Sequence, residues 1–170
     1  MRILKNFIGV SGAVAFLVVC LVVISPLSSF AQTDPIIGTW KLNVAKSKFS
    51  PGPPSQSQTL TYEAVGQGYK VTVKGTDAEG KPIDSQFTAN FDGKDYPVSG
   101  NPDYDMTTLK RIDAYKTEST KKKAGKVVVT TTRVVSKDGK TLTITEKGVN
   151  AKGEKFSSIV VFEGIAQNVV

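Results

Sequence analysis

The amino-acid sequence predicts an all-β fold, in which an antiparallel up-and-down meander of about eight to ten strands closes into a barrel. From residue 59 onward, the chain consists of short runs with a period of two, rich in Val, Ile, Thr, Tyr and Phe. Gly, Asp and Asn separate these runs, and Asp-Gly occurs between them at Asp92 and again at Asp138. Asp-Gly between two strand-like runs predicts a hairpin, and consecutive hairpins form a meander.

Ten runs of the sequence are candidate strands. In one of them Phe87, Ala89 and Phe91 alternate with polar residues, and in another Leu142 and Ile144 do so. This alternation predicts one buried and one solvent-exposed side for each strand. Closure into a barrel leaves no unpaired strand edges, so we favour it over two packed sheets. The candidate strands are residues 37–42, 58–64, 69–74, 85–91, 94–98, 106–112, 114–119, 126–136, 141–146 and 156–163.

Two connections between candidate strands are similar in sequence. "VKGTDAEGK" (residues 73–81) and "EKGVNAKGE" (residues 146–154) share Lys-Gly, an Asp or Asn before Ala, and a second Gly. We interpret them as two similar hairpin connections in one meander rather than as a duplicated half of the domain. After the first candidate strand, a stretch with Ala and Lys can form one helical turn before the extended connector 51–54, which is rich in Pro.

The first 31 residues are predicted to be a secretory signal peptide, followed by a barrel domain over residues 32–170. Arg2 and Lys5 precede an uncharged apolar run over residues 7–24, and small residues lie one and three positions before a cleavage site after Ala31. The apolar run has about 18 residues, which is enough to span a bilayer, so an uncleaved membrane anchor is the alternative. We expect cleavage and a secreted or periplasmic protein.

Charge and residue content exclude several classes of function. Residues 1–31 contain two of the 22 basic residues and none of the 15 acidic ones, so the remainder carries a net charge of +5. Cys20 is the only cysteine, and the sequence contains no His. The cleaved chain therefore lacks disulfides, thiolate and imidazole metal ligands, the Ser-His-Asp triad and a cysteine nucleophile. We predict no catalytic residues, no cofactor and no metal site.

The opening of the barrel domain carries a recognisable signature. "GTW", which ends at Trp40, resembles the N-terminal G-x-W signature of the lipocalin and fatty-acid-binding families, the calycin superfamily. The whole of residues 32–170 also resembles a group of exported lipocalin-like proteins of environmental bacteria, through "GTWKLN", "DGKDYPV", "GNPD", "LKRID" and "VVSKDGKT". This resemblance implies a lipocalin-like barrel and no particular activity.

The same resemblance implies structural roles for Trp40 and Arg133. In lipocalins, an arginine on a late strand packs over the signature tryptophan, which lies at the closed end of the barrel. Arg133 shares its strand side with valines, so a partly buried Arg133 stacked on Trp40 is expected, and an ordinary solvated arginine is the alternative. Fatty-acid binders also have two portal helices and an Arg-x-Tyr near their C-terminus, and residues 44–56 and 156–163 provide neither.

Apolar and aromatic residues on the buried side of the strands are the candidate ligand-binding residues. They can fill the barrel interior completely or line a cavity, because small barrels do both. The sequence offers no nucleophile motif and no phosphate-binding Gly loop beside them. The candidates are Tyr62, Val71, Val73, Phe87, Phe91, Tyr96, Leu142, Ile144 and Phe162.

The densest positive charge is formed by Lys121, Lys122 and Lys123, with Lys126 close behind. Because a Gly turn follows them, we interpret these lysines as a solvated hairpin tip that blocks aggregation through strand edges. The alternative is a weak contact with an anionic envelope surface. No aromatic residues interleave with the lysines to stack on bases, so we predict no nucleic-acid partner.

These observations predict a monomeric, exported, lipocalin-like barrel that reversibly binds a small apolar or amphipathic ligand without catalysis. The alternative is a non-enzymatic cell-envelope interaction module with a filled barrel, which acts through its outer surface or its Lys-rich hairpin. A salt-sensitive interaction would distinguish the alternative from the first function. An enzyme that uses only Asp, Glu, Tyr and Lys ranks third.

Overall fold

The computed structural model describes residues 34–150 and 152–165, and the predicted signal peptide lies outside them. Within these residues, no helix has the length and apolar character needed to cross a membrane. The regular structure of the described chain comprises one 3₁₀ turn, Val44–Lys46, and eleven strands. The strands are β1 (Gly38–Leu42), β2 (Ser57–Val65), β3 (Gly68–Thr76), β4 (Pro82–Asn90), β5 (Tyr96–Ser99), β6 (Met106–Thr107), β7 (Lys110–Arg111), β8 (Lys116–Lys123), β9 (Lys126–Val135), β10 (Thr141–Val149) and β11 (Lys155–Gly164).

The strands form one antiparallel sheet that closes on itself. Consecutive strands pair with each other from β1 through β6, and again from β8 through β11. Strand β1 also pairs with β11. The pairing of β6 with β8 completes a ring of ten strands, and β7 continues along the same edge of β8. Closure pairs the edges that an open sheet would leave exposed. The predicted up-and-down meander and its closure into a barrel are thus confirmed.

Two predicted strands differ most from the observed ones, and both lie where the ring closes. The run 106–112 is interrupted between β6 and β7, where Thr108 N–H donates to Thr120 O at 2.8 Å and Leu109 is fully buried. The run 114–119 extends instead to residue 123, so the lysine triplet belongs to β8. The hairpin tip is formed by Ala124 and Gly125, which both have positive φ, at 48° and 76°.

The predicted lysine-rich hairpin tip is therefore wrong. Lys121 is buried, with 7% of its surface exposed, because side chains alternate between the two sides of β8. Lys122 forms an ion pair with Asp95 at 2.8 Å. Only Lys123 and Lys126 remain as exposed lysines at the tip. A surface of three adjacent free lysines does not exist in this fold.

One end of the barrel, the closed end, is filled by apolar side chains around Trp40. Trp40 is 3% exposed, and its Nε1–H donates to Ile36 O at 2.8 Å. Gly164 pairs with Trp40 across β1 and β11, next to the indole ring. Leu109 and Leu142 are fully buried in the same core. Close packing of large apolar groups makes this end a continuous hydrophobic core.

Polar contacts attach the segment before β1 to the closed end. Asp34 forms an ion pair with Arg111 and accepts the N–H of Ile36 at 3.2 Å. The guanidinium of Arg111 lies 3.9 Å from the centroid of the Phe91 ring, a cation–π contact. Since Ile36 is also the partner of Trp40, Arg111 is the arginine that supports the surroundings of the tryptophan.

The two connections of similar sequence lie at the opposite, open end and have the same geometry. Oδ1 of Asp77, between β3 and β4, accepts the backbone N–H groups two and four residues later. Oδ1 of Asn150, between β10 and β11, does the same. Gly80 and Gly153 provide the positive φ that each turn requires, at 83° and 82°. This geometry supports their interpretation as two similar hairpin connections.

Candidate ligand-binding site

The barrel interior contains a cavity of about 370 Å³ between the closed end and the loops of the open end. It opens beside Asp77, Asn150 and the β5–β6 connection at residues 101–104. Apolar side chains of β2, β3 and β4 form much of one wall. Strand β9 lies halfway round the ring from β3 and contributes Arg133 to the opposite wall. The interior is therefore hollow, and its walls differ in chemistry.

Six of the nine candidate ligand-binding residues line this cavity, and three do not. Leu142 is fully buried in the core of the closed end, and Phe91 lies under Arg111. The hydroxyl of Tyr96 donates to Asp92 at 2.9 Å, outside the cavity. For the six lining residues, a role in ligand binding stays a prediction. These are Tyr62, Val71, Val73, Phe87, Ile144 and Phe162.

An ion pair lies inside the barrel, on the wall formed by β8, β9 and β10. Lys121 Nζ donates to Glu146 Oε1 at 2.6 Å, and the hydroxyl of Thr131 donates to the same oxygen at 3.1 Å. The Lys121 side chain is 9% exposed and that of Glu146 is 25% exposed, toward the cavity that both line. A charge-assisted hydrogen bond in such surroundings is stronger than the same bond in water.

Arg133 lies beside this pair and is the second cation of the interior. It is 4% exposed, and its Nη1 donates to Ser119 Oγ at 2.9 Å. Among the buried side-chain nitrogens and oxygens of the described residues, only Arg133 Nε has no hydrogen-bond partner. Buried polar groups in proteins are nearly always hydrogen-bonded, so this donor requires an explanation. We call Lys121, Glu146 and Arg133, with Thr131 and Ser119, the polar cluster.

In the polar cluster, neighbouring opposite charges offset the effect of burial on the pKa values of Glu146 and Lys121. Burial alone would raise the pKa of Glu146, but the charge and hydrogen bond of Lys121, together with Arg133 and Thr131, outweigh it and hold the pKa below its ordinary value. Burial alone would lower the pKa of Lys121, but the charge and hydrogen bond of the Glu146 carboxylate, together with Tyr104, outweigh it and raise the pKa. Burial also raises the pKa of Tyr62 to about 12, although the neighbouring Arg133 opposes this shift. At neutral pH the cluster therefore holds two cations, one anion and neutral hydroxyls.

Tyr104 places an aromatic ring over the polar cluster from the β5–β6 connection. The ammonium of Lys121 lies 4.5 Å from the centroid of this ring, a cation–π contact. Tyr104 is half-buried and lines the cavity together with Asn101 and Asp103. The ring therefore separates the ion pair from the solvent on that side.

The expected stack of Arg133 on Trp40 is not among the cation–ring contacts of residues 34–150 and 152–165. Arg133 is buried, as the resemblance implies, but it lies in the polar cluster on the cavity wall. Its partner across β8 and β9 is Thr117, and across β9 and β10 it is Ile144. Arg133 therefore lies two residues before Val135 on the same side of β9, and Val135 belongs to the apolar core.

Sequence reasoning missed Lys121, Glu146 and Thr131 as site residues. For Glu146 and Thr131 a signal was present, because both continue an alternation already recognised. Glu146 follows Leu142 and Ile144 at steps of two, and Thr131 precedes Arg133 by two. For Lys121 the signal was hidden, since the other inward residues of β8 are also polar.

The cavity can hold a charged group of a ligand at the edge of an apolar surface. The described residues contain no group of three or more His, Cys, Asp or Glu side chains placed to hold a metal ion. The Lys121 amine is protonated and paired, which leaves it no lone pair for nucleophilic attack. Recognition of a ligand is the chemistry that this arrangement favours.

Comparison with protein-family models and with curated proteins finds no match for this chain. Among solved structures, the chain is similar to zebrafish ileal bile acid-binding protein complexed with cholic acid, with a TM-score of 0.46, 13% identity, and coverage of 77% of this chain and 99% of that one. It is similar to the redesigned β-barrel mFAP1 bound to DFHBI, with a TM-score of 0.42, 12% identity, and coverage of 76% and 94%. It is also similar to lobster apocrustacyanin A1, with a TM-score of 0.42, 12% identity, and coverage of 82% of this chain and 65% of that one. The likeness concerns the fold alone, and the assignment of a barrel rests on the strand pairing.

Proposed function

We propose that this protein is an exported lipocalin-like barrel that reversibly binds a small amphipathic molecule in its cavity, without catalysis. The observation that carries the proposal is a cavity with one largely apolar wall and one charged wall. Its volume of about 370 Å³ lies within the range of roughly 300–1,000 Å³ that small-molecule sites occupy. An amphipathic ligand matches both walls, because its apolar part replaces water beside β2 to β4 while its polar part contacts Arg133.

Two features of the cavity support binding over a surface role. The interior is hollow where a filled barrel would need side chains, and Arg133 Nε is a buried donor for which the described residues supply no acceptor. Of the two surfaces through which the alternative could act, the lysine-rich hairpin is weakened, since Lys121 is buried and Lys122 is paired. We therefore retain binding in the interior as the single proposed function.

Native mass spectrometry of the protein purified gently from its own host tests this proposal. We expect an additional mass on the folded protein that disappears after denaturing extraction, and the released molecule identifies the ligand. An unliganded mass in repeated preparations, together with no binding of any amphipathic probe, would refute the proposal. The same spectra test export, because cleavage after Ala31 gives a chain that begins at Gln32.

A further inference from the structure

We infer that the cavity selects ligands with a single negative charge, and that Glu146 is the residue that sets this limit. The inference rests on the proposed function and specifies the ligand class of the same site. It follows from the hydrogen bonds and from the balance of charge in the polar cluster.

The first step concerns the free hydrogen-bond donor of the cluster. Arg133 always carries its charge, it is 4% exposed, and its Nε donor has no acceptor among the described residues. Its hydrogen-bond partners, the hydroxyls of Ser119 and Tyr62, are both neutral. A buried guanidinium without a carboxylate of its own is costly, and an anionic group on a ligand would remove that cost. Arg133 is thus the position where a ligand anion binds.

The second step concerns Lys121, which is not available to a second anion. Its ammonium is held by Glu146 at 2.6 Å and covered by the Tyr104 ring at 4.5 Å from the centroid. Glu146 therefore neutralises one of the two interior cations, and the cluster keeps a net charge of +1. A ligand with one negative charge neutralises the interior, whereas a dianion must either displace Glu146 or leave a charge uncompensated.

The third step concerns the remaining charged groups around the cavity. Asp77 and Asp103 are its other charged lining residues, and both lie at the open end. Their carboxylates add negative charge near the mouth, where water screens it. They provide no attraction for a more highly charged anion. A cationic ligand would meet the positive Arg133 at the inner end of its path.

Isothermal titration calorimetry with four octyl compounds tests the inference. Octan-1-ol, octanoate, octyl phosphate and octylammonium share one alkyl chain and differ in charge, and at pH 8 the phosphate is largely dianionic. We expect octanoate to bind at least about tenfold more tightly than octan-1-ol, since a hydrogen bond to a charged group is worth that much. Octyl phosphate and octylammonium should both bind more weakly than octanoate.

Two variants separate the roles of the charged residues. Arg133→Met should reduce octanoate binding to the level of octan-1-ol. Glu146→Gln should free Lys121, raise the net charge of the cluster to two, and make octyl phosphate the tightest of the four probes. Glu163→Gln, on the exposed pair with Lys46, is the control and should leave the ranking unchanged. If Arg133→Met does not fold, two results still test the inference. They are the order of affinity of the four probes for the unmodified protein and the change of preference from octanoate to octyl phosphate in Glu146→Gln.

The outcomes distinguish this inference from the proposed function. If octan-1-ol binds as tightly as octanoate, or if Glu146→Gln does not change the preference, the inference is wrong while ligand binding stands. If none of the four probes binds and native mass spectrometry finds no ligand, both fail. A preference for octyl phosphate in the unmodified protein would overturn the single-charge limit alone.

Discussion

The closed end and the open end of this barrel are built from the same strands, yet one is solid and the other is hollow. Along β10, the inward positions run from Leu142, which is fully buried in the core, through Ile144 to the charged Glu146. Along β9 they run from Val135 to Arg133 and Thr131. Each step of two residues moves about 7 Å toward the open end. Inward residues become polar along these steps, so the packed apolar core lies at one end and the polar cluster toward the other.

The largest expected difference between the two ends comes from truncating matched side chains on β10. Leu142→Ala, in the packed end, should reduce the free energy of unfolding by about 3 to 5 kcal/mol, because it opens a void in a dense core. Ile144→Ala, one inward step further and on the cavity wall, should cost about 2 kcal/mol. The smaller cost is expected because Ile144 already lacks close neighbours on the cavity side. Urea unfolding of the two variants measures both values, and equal losses would contradict the division of the barrel into a solid and a hollow end.

The next effect concerns the ion pair on the hollow side. Lys121→Met should reduce the free energy of unfolding by about 3 kcal/mol, because it removes the cation that is hydrogen-bonded to the Glu146 carboxylate. The double variant Lys121→Met with Glu146→Gln should recover part of this loss, since neither charge then remains inside the barrel. A double-mutant cycle by urea unfolding measures the coupling. Losses that simply add would show that the two side chains do not stabilise each other.

The closed end was the more predictable of the two regions. Its signals are local: the Gly-Thr-Trp opening that ends at Trp40, the alternation around Leu142, and the Asp-Gly turns each occupy a few consecutive residues. Such signals predicted the meander, its closure and the buried alternating positions. They did not predict Arg111 as the arginine near Trp40, because its partner Asp34 lies 77 positions away in the chain.

The hollow end was less predictable because its contacts cross the barrel. Tyr62 and Arg133 come from strands separated by more than 60 residues, and no periodicity reports which inward side chains meet. The inward residues of β8 are all polar, so the strand lacked an apolar side and Lys121 resembled part of a solvated tip. Sequence alternation gives the direction of a side chain along one strand. It does not give the empty volume between strands, which decides whether a cavity exists.

The smallest expected effect is the dependence of stability on pH, and it again separates the interior pair from a surface pair. The pKa of Glu146 is lowered in the folded state, since burial, which raises it, is outweighed by the combined effect of Lys121, Arg133 and Thr131. Its contribution is therefore fully present above the ordinary value of 4.5 and is lost as the pH falls through the lower folded pKa. Lys121 has a raised pKa, so its contribution persists below 10.5 and is lost at more alkaline pH.

Thermal unfolding between pH 7 and pH 3 measures this dependence in the unmodified protein, in Glu146→Gln and in Glu163→Gln. The pKa of Glu163 is also lowered, by its hydrogen bond from Lys46, but water screens this exposed pair. We expect Glu146→Gln to flatten the acid decline of the melting temperature below pH 4.5, because the variant has no carboxyl group to protonate at that position. Glu163→Gln should retain most of the decline. A decline as steep in Glu146→Gln as in the unmodified protein would show that the interior ion pair does not contribute to acid sensitivity.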